Sequence, residues 1–438
     1  MLLEFKAKNY KSYMEEMVFS MAQAPKQRGL DESVLRNKID MTEYNAVCSA
    51  VVYGASSSGK SNIFSAVDAF KSIILRGSLR NPRNWDSYNK AAFLLEHIPN
   101  ISAKEKPVFF SIKFIDSNLL FEYSVEADLG EFMNKEAERK IVSETLKVND
   151  KLFFSRNGDE LEFGSFRGMS GYMAPSYLRY ENTAGALAEC NIVADELFLT
   201  NGFKNIYSSR LAEIFRNWLE SKLEIIFNPE DQNFMLNMSE PNKNAIFMER
   251  ILQDAPEFFS VGSAGIKLLP QGGGEDSRLY SILSDGGKIA SEKFESKGTI
   301  RFVNMFRLAV NSLMKGSTLI VDDMDSLISP NQIMCLLSLY HSSQINRRKA
   351  QLIFNSYNPI YLRSSLLRRE EVKFTEMDEE TAKSNLYSLS DIGSVKVGKK
   401  NEDFVKIYIS NKLEAVKPAD TNPIFKTLCE HAKDEELS

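Results

Sequence analysis

The feature that most restricts this chain is the run Gly54, Ala55, Ser56, Ser57, Ser58, Gly59, Lys60, Ser61. Glycines at its first and sixth positions let the backbone curl around an anion, and the helix that follows turns its free amide hydrogens toward the same point. The context fits this use. Cys48–Tyr53 is an apolar run of strand length, and the stretch Asn62–Leu75 carries Ile63, Ala66, Val67, Phe70, Ile73 and Ile74 at helical spacing. The pattern therefore predicts a loop that holds the phosphates of ATP. Lys60 would face the β- and γ-phosphates, the Ser61 hydroxyl would ligate Mg²⁺, and Asn62 completes the nucleotide-binding set.

Two further motifs extend this reading. At Ser317–Pro330 the apolar segment Thr318-Leu319-Ile320-Val321 ends in Asp322-Asp323-Met324-Asp325, a strand that delivers carboxylates at its end. Such a pattern assigns Asp322 to the magnesium shell and Asp323 to the attacking water. Upstream, Glu295-Ser296-Lys297-Gly298-Thr299 precedes the helical run Ile300–Leu313. Ser296 and Gly298 offer a hydroxyl and free backbone amides to an anion, but an ordinary helix N-cap explains the same residues, and both readings stay open.

Composition narrows the function classes. Hydrophobic residues make up 43% and charged residues 26%, which suffices for a buried core. A net charge of -5 gives no global basic field, so nucleic-acid binding would have to rest on a local patch. Arg368-Arg369 and Lys396–Lys400 are the most basic clusters near the C-terminus and read as solvated faces. No apolar run is long enough to span a bilayer and no signal-peptide pattern opens the chain, so a cytoplasmic protein without a membrane partner is expected. Cys48, Cys190, Cys335 and Cys429 are scattered and read as reduced, mostly buried thiols. None of the three histidines stands at metal-ligand spacing from another ligand, so the sequence predicts no histidine-based metal site.

The order of phosphate loop, Ser-x-Gly motif, carboxylate-bearing strand and final strand Ala350–Ser356 resembles the ABC-class ATPases related to RecF, SMC and OLD proteins. It is most similar to the AAA-type ATPases of bacterial phage defence, the Rlo and abortive-infection group. The likeness also takes in Leu2–Ser12, Phe93-Leu94-Leu95 and Leu386–Asp391. It implies an α/β P-loop NTPase with an ABC-type head; alternation over Pro107–Ile115, Leu119–Val125, Lys140–Val148 and Lys151–Arg156 adds hairpins of an antiparallel β lobe, and helical spacing over Ser208–Leu223 adds an inserted helical subdomain. The expected division is 1–165 (first part of the ATPase domain with the β lobe), 166–275 (helical insertion) and 276–438 (second part of the ATPase domain), with 271–276 as a glycine-rich connection. It also implies a homodimer or higher homo-oligomer in which Ser296 and Gly298 complete a neighbour's ATP site, and a separate effector. The roughly 80 residues after Tyr357 are too few for a fused nuclease domain, so a nuclease effector would be another chain.

Three positions depart from the family pattern. Asp323 stands where glutamate is usual, Tyr357 where a switch histidine follows the final strand, and Ser329 where a histidine precedes proline. Tyr357 is nevertheless kept with Asp323 as a candidate catalytic residue. Shortening the base by one methylene displaces its carboxylate by roughly an ångström, which can cost on the order of 10²-fold in rate. Slow hydrolysis is expected. Three functions remain compatible with these residues: an ATP-driven switch in anti-phage defence, a nucleotide-holding scaffold, and a RecF-like DNA repair ATPase.

Overall fold

A computed structural model describes residues 1–25, 29–83, 89–103, 106–166, 168–227, 250–252, 254–259, 261–270, 277–378, 380–392, 404–409 and 424. The glycine-rich connection and the Lys396–Lys400 cluster lie outside the described residues.

Strands β1 (Leu2–Lys8) and β2 (Met17–Ser20) pair antiparallel, as their alternating side chains predict. A hairpin that the sequence pattern did not reveal follows, β3 (Val34–Ile39) and β4 (Thr42–Val47). Its turn residue Asp40 takes a left-handed φ of 51°, in place of the glycine that usually marks such a turn. Strand β5 (Ser49–Gly54) is buried throughout and feeds helix α1 (Lys60–Arg76). The predicted hairpins then appear as β6 (Val108–Asp116), β7 (Leu119–Asp128), β8 (Lys140–Val148), β9 (Lys151–Asn157) and β10 (Glu160–Phe163). These five strands join β1 and β2 in one antiparallel sheet ordered β10-β9-β8-β7-β6-β1-β2.

The chain then turns helical at α2 (Pro175–Arg179), α3 (Glu181–Glu189), a π-wound turn at Leu199–Tyr207, and α4 (Ser209–Asn217). It then returns to the core as β11 (Leu223–Ile226). A small antiparallel sheet, β12 (Gly265–Pro270), β13 (Ser277–Ile282) and β14 (Lys288–Ala290), precedes α5 (Ser291–Phe294) and the long helix α6 (Lys297–Lys315). Strand β15 (Thr318–Val321), helix α7 (Pro330–His341), and strands β16 (Gln351–Asn355), β17 (Val372–Met377) and β18 (Ser384–Ser388) complete the main sheet. Its order is β11-β15-β16-β5-β17-β18, parallel except for the β17–β18 pair. Parallel strands covered on both faces are expected to be apolar along their length, and Val51, Val52, Leu319, Ile320, Leu352 and Ile353 are all buried.

Aromatic rings fasten the inserted helices to the antiparallel sheet. Trp218 stacks on Phe114 with ring centroids 3.9 Å apart, and Phe215 meets Phe114, Phe121 and Tyr123 edge-on. The buried Glu144 carboxylate on β8 accepts amide hydrogens from Phe198 (2.7 Å) and Leu199 (2.8 Å), which opens the π-wound turn. Two sequence expectations need correction. Arg368 is buried rather than solvated, because Glu370 accepts from its guanidinium at 2.6 Å. Of the three cysteines among the described residues only Cys48 is buried, since Cys190 lies on an exposed turn and Cys335 is half-buried.

The two large sheets are clamped by one buried side chain. Gln351 accepts from the Leu2 amide (2.6 Å) and the Thr318 hydroxyl (3.0 Å), and its amide donates to the carbonyls of Leu2 (3.0 Å) and Val47 (3.1 Å). Gln351→Leu would strand those backbone groups without partners, at about 1–3 kcal/mol each. The variant is expected to unfold at clearly lower urea concentration by circular dichroism; a midpoint equal to wild type would show that this amide does not join the sheets.

Candidate nucleotide-binding site

Register in the main sheet builds the site. Parallel pairing of Thr375 with Gly54, and of Val321 with Phe354, brings the phosphate loop, the residues after β15 and the end of β16 to one edge. In open parallel sheets this carboxyl edge is where ligands bind.

The loop's geometry explains its glycines. Gly59 has φ 104°, and a Cβ there would stand 2.6 Å from Ser384 Oγ. At Gly54 a Cβ would meet Thr375 Oγ1 at 2.2 Å and Ser58 Oγ at 2.5 Å, so only glycine lets β5 turn into the loop. Ser57 adopts a left-handed φ of 65°. Ser58 Oγ lies 2.6 Å from Thr375 Oγ1, which ties the loop to β17, and Asn62 donates to Ser12 Oγ at 2.8 Å, which ties it to the N-terminal lobe.

Lys60 is buried and folds back over the loop, donating to the carbonyls of Gly54 and Ala55, both at 2.8 Å. Its ammonium also lies 3.9 Å from the ring centroid of Tyr357. Burial pulls this ammonium down to about 8, against the opposing attraction of Asp323 and Asp322. A triphosphate would give this ammonium the direct anionic partner that the two loop carbonyls do not.

Behind the loop a hydrogen-bond knot joins both motifs. The Ser61 hydroxyl donates to Asp322 Oδ1 at 2.9 Å, and the Asn355 amide donates to the same oxygen. Asn355 Oδ1 in turn accepts the Asp323 amide hydrogen at 2.6 Å. Burial pushes the Asp322 carboxyl up, Asp323 adds to that rise, and the Ser61 and Asn355 hydrogen bonds with the Lys60 charge oppose it. A serine hydroxyl and a buried carboxylate sharing one hydrogen bond form an oxygen pair suited to a hard divalent cation, so the residues present fit Mg²⁺ with a nucleotide. Asp323 is exposed, with a left-handed φ of 49°, and its carbonyl accepts from the Arg301 guanidinium at 2.6 Å. Asp325 accepts from the Ser356 hydroxyl at 2.6 Å.

The structure thus gathers Gly54 through Asn62, Asp322, Asp323 and Tyr357. Ser296 and Gly298 lie at the start of α6. Ser296 Oγ accepts the Thr299 amide hydrogen at 3.0 Å, and a Cβ on Gly298 would press to 2.6 Å from the Leu327 carbonyl oxygen. Helix capping and close packing inside one chain therefore account for both residues locally, while the Ser296 side remains exposed. Ser329 likewise caps α7, in a reciprocal box with Gln332.

Sequence reading missed Asn355, Thr375, Ser384 and Ser12. Asn355 carried a faint signal, a polar residue closing an apolar strand, whereas Ser12 and Ser384 meet across 372 residues of chain and only the fold reveals them. Because Lys60 titrates near the working range, affinity for Mg²⁺–ATP is expected to fall as pH rises through about 8, where the ammonium loses its proton. Calorimetric titration across that range checks this, and a flat affinity would contradict the placement of Lys60 against the phosphates.

No curated protein matches the sequence. Among solved structures, the chain is similar to the SMC head domain from Thermotoga maritima (12% identity, TM-score 0.36, covering 88% of this chain and 98% of that one). It is also similar to two further SMC head domains. One, derived from Pyrococcus furiosus, has an extended coiled coil and is bound to the C-terminal domain of ScpA (13% identity, TM-score 0.42, 88% of this chain and 96% of that one). The other, derived from Pyrococcus yayanosii, has a coiled coil and joint (11% identity, TM-score 0.44, 94% and 99%). At this level of overlap they are distant likenesses. A family model matches residues 49–362, from the first residue of β5 to just beyond Tyr361, and so includes the phosphate loop, the α6 start and the carboxylate strand. The chain belongs to the family described as "AAA domain, putative AbiEii toxin, Type IV TA system", a family of P-loop ATPases.

Proposed function

We propose that this chain binds ATP with Mg²⁺, hydrolyses it slowly, and uses it to drive association of two copies, acting in the cytoplasm as the switch subunit of an anti-phage defence system that gates a separate effector. The knot of Ser61, Asp322, Asn355 and Asp323 behind the phosphate loop carries this reading, because it sets a cation-binding oxygen pair and a free carboxylate on one sheet edge. The words "putative AbiEii toxin, Type IV TA system" in the family's description support a defence role.

Each residue has a distinct task. Mg²⁺–ATP supplies the phosphoanhydride whose γ-phosphoryl passes to water. Lys60 would exchange the Gly54 and Ala55 carbonyls for phosphate oxygens, and Ser61 with Asp322 would hold Mg²⁺. Asp323, exposed and held by its own backbone, takes the proton from water. Tyr357 lies over Lys60 and restrains the ammonium until phosphate displaces it. A tyrosine where a proton-handling imidazole is usual, together with a short base, favours retention of ATP over turnover. The same pair of observations favours the scaffold reading, and phosphate release separates the two.

Wild type is expected to release phosphate slowly, and Asp323→Asn to lower that rate at least about tenfold while leaving ATP affinity near wild type. A wild-type rate in the variant would remove Asp323 from the chemistry; no release by wild type at all would favour the scaffold.

Association needs a probe that spares the intrachain cap. Gly298 is unsuitable, because any side chain there collides with Leu327. Lys297 is exposed at the first position of α6, beside Ser296. Lys297→Glu would put a like charge against a neighbour's triphosphate, and sedimentation should show ATP-linked association in wild type and its loss in the variant, with single-subunit ATP binding retained. Equal association of the two proteins with ATP would limit Ser296 and Gly298 to capping and packing.

A further inference from the structure

At the end of β5 opposite the phosphate loop, three side chains far apart in sequence converge. Cys48 immediately precedes β5, His341 is the last residue of α7, and Glu371 immediately precedes β17. Cys48 Sγ, one imidazole nitrogen of His341 and one Glu371 carboxylate oxygen all lie within 4.8 Å of one another. Cys48 and Glu371 are fully buried, while His341 keeps a narrow opening to solvent.

The cluster is built rather than incidental. Glu371 Oε2 is taken by the Arg368 amide hydrogen at 2.7 Å, which leaves Oε1 facing His341 Nε2 at 3.1 Å. The Ser49 hydroxyl donates to the same Oε1 at 2.6 Å and lies 3.0 Å from His341 Nε2. The Cys48 backbone is fixed on both sides, its amide donating to Ser33 and its carbonyl accepting from Leu352, both at 2.9 Å. Cys48 and Glu371 are thus anchored from outside the cluster, and His341 is oriented by Glu371 and Ser49 within it.

We propose that Cys48 Sγ, His341 Nε2 and Glu371 Oε1 bind a zinc-class divalent cation, which clasps the start of β5, the end of α7 and the start of β17. One thiolate, one imidazole and one carboxylate make a mixed set that a borderline-soft ion prefers, whereas Mg²⁺ and Ca²⁺ prefer oxygen alone. Zinc bonds of about 2.0–2.3 Å require ligand atoms roughly 3.3–3.7 Å apart, so no pair of ligand atoms needs to close by more than about 1.5 Å. Coordination replaces the hydrogen bond that His341 now shares with Glu371, so the imidazole binds through Nε2 as the neutral tautomer protonated at Nδ1, and the thiol proton leaves to solvent. The fourth position falls to Ser49 Oγ or to water. Spacing along the chain concealed the site, because Ser49 and Glu371 alone are separated by 322 residues.

The full-length protein, stripped with chelator and dialysed, tests this with zinc or cobalt alone. Wild type is expected to retain about one zinc per chain, to show a thiolate-to-cobalt charge-transfer band with Co²⁺, and to melt at higher temperature when zinc is added. Cys48→Ser should abolish the band, and His341→Gln should weaken zinc affinity at least about tenfold. Absence of retained zinc, of the band and of the thermal shift in wild type would overturn the proposal, as would an unchanged band in Cys48→Ser, which would place the metal on Cys190, Cys335 or Cys429 instead. The wild-type measurements decide the matter even where a variant fails to fold.

Discussion

Much of this molecule depends on the hydrogen bonds that converge on Asp322. A carboxylate at the end of a buried parallel strand would be costly unless its oxygens were satisfied. Ser61 satisfies it from the phosphate loop and Asn355 from the neighbouring strand, so the two motifs are held in one relation before any ligand arrives. Because Asn355 also accepts the Asp323 amide hydrogen, the backbone of the following turn is fixed by the same side chain. Preorganisation of this kind lets ligand binding proceed without first ordering the site.

The loop side shows the complementary principle. Lys60 lies over two of its own loop carbonyls and under the Tyr357 ring, so its charge is already partly compensated. A phosphate must offer more than these neutral partners, which a nearly fully charged triphosphate does. Tyr357 thus sits at a point of competition between the protein and its ligand. In place of an imidazole, a tyrosine there offers an aromatic face to the ammonium.

Legibility in the sequence followed the range of the interactions concerned. Strand β5, the loop and α1 were readable because apolar periodicity and glycine placement are local, and β8 falls on the predicted stretch Lys140–Val148. The hairpin of β3 and β4 was missed because Asp40 supplies its left-handed turn where glycine would have announced it. Arg368 looked like part of a solvated basic face, but Glu370 beside it takes its charge into the core. Ser12, Ser384 and the Cys48–His341–Glu371 cluster were invisible, since only tertiary register makes them neighbours. Gly298 could be read as offering an amide to an anion, and the fold sets it close against the Leu327 carbonyl of its own chain, a contact that no local pattern announces.

If the knot at Asp322 prepares the protein for its ligand, nucleotide binding there depends on Mg²⁺ and on Asn355. Calorimetric titration of ATP into the full-length protein, with Mg²⁺ present and then with chelator, tests it most directly. One ATP per chain, bound far more tightly with Mg²⁺ and weakened by Asn355→Ala, is the result this account requires. Absence of ATP binding, or binding that is indifferent to both Mg²⁺ and Asn355, would contradict it.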